Sequence, residues 1–139
     1  MFVPPSGGFV SMARGGFTLR RVLIPVTSRP NPHPAVTYAF RAAVFSTEET
    51  VEMNMLHVGD DDPTSGLDVP ERDYLRWQLL MRSGDVTDQI LRGAGELDSE
   101  LIAMTTSAAG GLLGALRGSI TERVIRDAAC PVLAVPLPS

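Results

Sequence analysis

The chain has 139 residues, 44% of them apolar and 20% charged, with a net charge of −4 and a single cysteine. That is one ordinary domain, able to bury a core without disulfide or metal support. The acidic balance argues against nucleic acid as a partner and against a polybasic membrane anchor, and no apolar run approaches the ~18 residues that span a bilayer.

Residues 1–18 carry Pro4, Pro5 and four glycines, and their apolar residues have no period. They read as a flexible N-terminal arm, with Met12 as a second candidate start. No apolar block here is long enough for a secretory signal, so the expected location is the cytoplasm. The domain proper is expected over residues 19–139.

Val22, Leu23, Ile24, Pro25 and Val26 form a short continuous apolar run. Such a run predicts a strand covered on both faces, as in a parallel sheet. Three prolines between Ser28 and Pro34 then stiffen a loop. A helix is predicted from about Pro34 to Phe45, with Val36, Ala39, Phe40 and Ala43 on its inner face. Val51 to Val58 is the second strand. Residues 59–72 read as a polar loop through Asp60, Asp61 and Asp62. Tyr74 to Met81 alternates like a strand near a sheet edge, with a short helix as the other reading.

Asp85 is placed to accept the Asp88 amide and to start a helix running to about Leu97. Val86, Ile90, Ala94 and Leu97 line its inner face, and Gly93 and Gly95 weaken it. Leu101 to Met104 is a further buried strand. Residues 107–117 make a glycine-studded loop, Ser119 to Ala129 a helix stopped by Pro131, and Val132 to Val135 a last strand. Strands alternating with helices predict an α/β fold: a parallel sheet with helices on both faces. The crossover before the third strand is the exception. Its helix is short or missing, so a brief helix near residues 68–77 or irregular chain makes that link.

Ligands of open parallel sheets bind beyond the carboxyl ends of the strands. Three segments arrive there: residues 25–29, 58–62 and 105–119. In the last, Ser119 and Glu122 have the spacing of a capping box. Gly118 lets the chain turn, and the helix start behind it offers free amides and partial positive charge, a site suited to phosphate. The same residues also read as a plain cap, because every helix needs one. The three aspartates match no metal loop and read as solvated. His57 reads as a packed or hydrogen-bonded core residue and His33 as exposed. Cys130 reads as a small buried apolar residue whose thiol pKa the end of the preceding helix raises. Trp77 reads as packing. A Walker lysine, a Gly-x-Ser-x-Gly turn and a Ser/His/Asp set are all missing. The chain is therefore not expected to be an enzyme.

Taken together, Val22-Leu23-Ile24-Pro25-Val26, Leu56-His57-Val58, Gly84-Asp85, Leu101-Ile102-Ala103-Met104 and the block from Gly118-Ser119-Ile120-Thr121-Glu122-Arg123-Val124 to Cys130-Pro131-Val132-Leu133 resemble the universal stress protein family. The resemblance spans residues 21 to 135 and is most specific in the final block. It implies a five-stranded parallel sheet of strand order 3-2-1-4-5, of the adenine-nucleotide alpha hydrolase-like type. It also implies a homodimer joined through the last strand, here Pro131 to Pro136, and a regulatory or protective role.

ATP-binding members share a loop of pattern G-x2-G-x9-G-[S/T]. Placing Gly118-Ser119 at its end puts Thr105 and Ala108 where glycines stand. Side chains there narrow the backbone's approach to phosphate. Thr27 stands where binders tend to carry Asp. Gly118, Ser119 and Thr121 match. The resemblance thus implies a nucleotide pocket of Pro25, Val26, Thr27, Val58, Thr105, Ala108, Gly118, Ser119, Ile120 and Thr121. Its ligand would be ATP or another adenine nucleotide held weakly, with Mg²⁺ carried by the phosphates, or no cofactor at all. Arg117 beside the turn reads as a solvated side chain or a phosphate partner. The alternative is a dimeric interaction module of the same fold that binds no nucleotide. Slow nucleotide hydrolysis ranks behind both.

Overall fold

The computed structural model describes residues 10–11, 16–17, 19–26, 32–44, 50–62, 67–106 and 120–136. A small antiparallel ladder pairs β1 (Val10–Ser11) with β2 (Gly16–Phe17). The main sheet contains β3 (Arg21–Pro25), β4 (Val51–Val58), β5 (Leu75–Arg82), β6 (Leu101–Thr106) and β7 (Val132–Pro136). Its order is β5-β4-β3-β6-β7 and every pairing is parallel. Counting only these five strands, that is the expected order 3-2-1-4-5.

The continuous apolar runs have the expected cause. Val22, Leu23 and Ile24 are fully buried in the central strand. Val22 and Ile24 face a cluster with Ala35, Val36, Ala39 and Ala43, and Leu23 faces another with Ile90 and Val124. Each face thus needs an apolar side chain, and alternation disappears. Burying one Leu or Ile contributes about 1.5–3 kcal/mol, so the central strands anchor both layers.

Helix α1 (His33–Val44) covers the first face. Its buried positions, Ala35, Val36, Ala39 and Ala43, recur at helical spacing. It starts one residue ahead of the expected Pro34, because proline fits the first turn, where amides lack intrahelical partners. Helix α2 (Val86–Glu96) covers the other face and starts as expected, with Asp85 Oδ2 accepting the Asp88 amide at 3.0 Å. Gly93 has a packing reason: a Cβ there would lie 2.7 Å from Leu56 Cδ1.

Helix α3 (Ile120–Asp127) is shorter than the expected Ser119–Ala129. Ala129 and Cys130 bend before Pro131, which disfavours helical backbone at the residue ahead of it. Ser119 and Phe45, at the ends of two expected helices, lie outside the described residues.

β5 is an edge strand, so the strand reading of residues 74–81 holds and the helical one does not. Between β4 and β5, the described residues 59–62 and 67–74 contain no helix. Irregular chain stands in for one: Leu67 and Val69 pack on the α1-side core, and Trp77 Nε1 donates to the Pro70 carbonyl at 2.8 Å.

Candidate functional site

The sheet turns in opposite directions from β3, with β4 on one side and β6 on the other. This is the switch point at which open parallel sheets bind ligands. The ladder is short there. β3 and β6 are in register only at Val22↔Leu101 and Leu23↔Ile102, whereas β3 and β4 share five pairs. The carboxyl ends of the two strands therefore leave the ladder beside one another, the place where open parallel sheets offer a crevice.

Of the expected pocket residues, six lie among those described. Pro25 ends β3 and Val26 follows it, its amide donating to the Leu56 carbonyl at 2.9 Å. Val58 ends β4, half-buried against the α2-side core. Thr105 is buried near the end of β6, and its Oγ1 accepts the Ala35 amide at 3.2 Å. That bond satisfies an orphan amide in the first turn of α1, so the threonine at the first glycine position ties β6 to α1. Ile120 is exposed and Thr121 buried at the start of α3. Thr27, Ala108, Gly118 and Ser119 lie outside the described residues, as does Arg117.

Two features at this edge were missed from sequence, the Thr106 hydroxyl and the pairing of His57 with Asp61. Thr106 is 2% exposed, and its Oγ1 has no hydrogen-bond partner. His57, expected as a packed or hydrogen-bonded core residue, is both. It lies 2.8 Å by Nδ1 from the Val26 carbonyl and 2.9 Å by Nε2 from Asp61 Oδ1. Burial is the largest influence on the ring and lowers its pKa. The Val26 carbonyl, the Asp61 carboxylate and the charges of Asp61 and Asp62 outweigh it, so the pKa sits above the ordinary 6.5. The same bond holds Asp61 below its ordinary 3.8. Gly59, with φ +137°, makes the turn between them. The usable signal was a histidine four residues before an aspartate with glycine between. Asp60, Asp61 and Asp62 are all exposed.

Residues 71–136 match the universal stress protein family model. The chain is 41% identical over 58 residues to a universal stress protein of Methanocaldococcus jannaschii, covering 42% of this chain and 34% of that one. It is 35% identical over 72 residues to a universal stress protein of Methanothermobacter thermautotrophicus, covering 51% and 48%. These findings support a universal stress protein family member.

The chain spans a third to a half of the length of these curated universal stress protein relatives. Solved structures agree in fold. A universal stress protein in complex with cAMP superposes with TM-score 0.60 at 16% identity, over 86% of this chain and 98% of that one. A universal stress protein family protein from Arabidopsis thaliana with AMP bound gives 0.58 at 15%, over 86% and 93%.

Away from the crevice, Cys130 is buried as expected, and burial pushes its thiol up to about 11. Desolvation is the cause, rather than the helix end invoked from sequence. No helix among the described residues is long and apolar enough to cross a membrane.

Proposed function

We propose that this universal stress protein domain binds an adenine nucleotide weakly in the crevice where β3 and β6 part, as a regulatory or protective protein in the cytoplasm rather than as an enzyme. The observation that carries the reading is the short β3–β6 ladder at the switch point of the sheet. The AMP and cAMP bound to proteins of like fold support the ligand class. The buried, unpartnered Thr106 hydroxyl supports the place, since a ligand group or water would complete it. Pro25, Val26, Thr27 and Val58 would hold the base side. Thr105, Ala108, Gly118, Ser119, Ile120 and Thr121 would surround the phosphates, which would carry any Mg²⁺. The domain would run from 19 to 139, with 1–18 as an arm.

The test is a thermal shift with ATP, AMP and cAMP, repeated on Thr106→Val. A ligand at a hundred times its Kd adds about 2.7 kcal/mol, a rise of several degrees. Thr106→Val should stabilise the unliganded protein by about 1 kcal/mol, because it removes an unsatisfied buried hydroxyl, and should weaken nucleotide binding. Absence of any shift at millimolar nucleotide would remove this reading.

A second reading, a dimeric interaction module without nucleotide, is favoured by one observation: the Thr105 hydroxyl is engaged with α1. Both readings place a homodimer at β7, an edge strand that shares a surface hollow with the exposed Tyr38. Ala134→Lys should shift the sedimentation coefficient to that of a monomer.

A further inference from the structure

Among the described residues, the one buried titratable side chain at this edge has no assigned role. His57 is 3% exposed, yet both ring nitrogens meet oxygens. The Val26 carbonyl can only accept, so Nδ1 carries a proton. Ionised Asp61 can also only accept, so the 2.9 Å contact requires a proton on Nε2. Ring and carboxylate together hold that second proton, and the geometry is that of an imidazolium between two acceptors.

The elements joined are the end of β3 and the turn after β4, both at the crevice. Gly59 keeps the turn tight: a Cβ there would lie 3.0 Å from Asp61 Oδ1 and 3.2 Å from His57 Nε2. Among the described residues, the charges acting on the ring are Asp61 and Asp62 of its own turn. β3 supplies only the neutral Val26 carbonyl. On β5, Arg82 is level with Val58, and its guanidinium is bound to Glu96 at 2.8 Å. At the same edge α1 opens with the exposed His33.

We propose that His57 is a positioning residue for the base side of the crevice: doubly protonated, it latches the Gly59–Asp62 turn to the end of β3, and loss of the Nε2 proton releases the turn and weakens ligand binding. With that proton gone, the Nε2 lone pair faces a carboxylate oxygen, and the contact becomes repulsive. The link to ligand rests on the nucleotide reading above; the latch itself does not.

The experiment follows the His57 ring and the Gly59–Asp62 amides by NMR across pH, in wild type and in Asp61→Asn. Asp61 is exposed, so this change leaves the core untouched. In wild type, ring and amides should share one midpoint above that of free imidazole. In Asp61→Asn the midpoint should fall by about one pH unit or more. An unchanged midpoint, or amides that ignore it, overturns the latch.

The second arm measures ATP affinity in both proteins below and above the midpoint. The difference between them cancels the titration of the phosphates. Wild type should lose at least about fivefold more affinity on crossing the midpoint than Asp61→Asn; equal losses overturn the coupling. If no nucleotide binds at any pH, the pocket reading fails, and the NMR arm alone decides the latch.

Discussion

At the scale of single residues, two glycines two positions apart, on nearly opposite faces of α2, should respond oppositely to the same change. Gly95 is exposed, and a Cβ there meets nothing within 4 Å. Gly95→Ala should stabilise by up to about 1 kcal/mol through helix propensity alone. Gly93→Ala gains the same propensity but brings a methyl to 2.7 Å from Cδ1 of Leu56, a side chain only 1% exposed, so the strand-side packing must shift. Overpacking of that kind costs about 1–3 kcal/mol, so the net change should be destabilising by about 1 kcal/mol. Urea unfolding of both variants checks the pair of signs. From sequence the two look alike, two weak spots in one helix, because the difference lies in a partner on another strand.

The His57–Asp61 pair gives a pH window for stability. His57 has a raised pKa, so its contribution is complete below the ordinary 6.5 and is lost as pH rises through the raised value. Asp61 has a lowered pKa, so its share is present above 3.8 and is lost as pH falls through the lowered value. The stability gap between wild type and Asp61→Asn should therefore be widest between about pH 4 and 6.5 and narrow on either side. Urea midpoints across pH measure it. A gap that does not vary with pH would contradict the pairing.

At the scale of elements, the first turn of α1 is pinned from across the fold. Thr105→Val would leave the Ala35 amide buried without its acceptor and should cost about 1–3 kcal/mol. Thr105→Ser keeps the oxygen and should recover most of that loss, again by urea unfolding. The individual elements were legible for plain reasons. Doubly covered strands read as unbroken apolar runs, α2 carries its own cap in Asp85, and prolines mark the breaks. The ties between elements were not legible. Thr105 reaches a residue 70 positions away, and His57 reaches back 31. Such pairs exist only once the strands lie side by side, and no local pattern encodes them. Thr105 instead stood out from sequence for what it lacks, a glycine's small size.

At the scale of the whole molecule, the parallel sheet followed from alternation and its strand order from family likeness, and the odd link was visible in advance as a polar stretch where a helix belonged. The absence of a helix among the described residues of that link has a mechanical outcome. β5 is bonded to β4 on one side only, and Leu79 and Met81 on it stay 38% and 48% exposed. Its cover is irregular chain fastened at Trp77. Strands with so little apolar cover open below the global unfolding free energy. Native-state hydrogen exchange should find the β5 amides freed at lower denaturant than those of β3 and β6; simultaneous release would contradict it. The domain then has a loose hem on one side and a tight seam down its middle, and wear, whether by protease, heat or a misplaced neighbour, should begin at the hem.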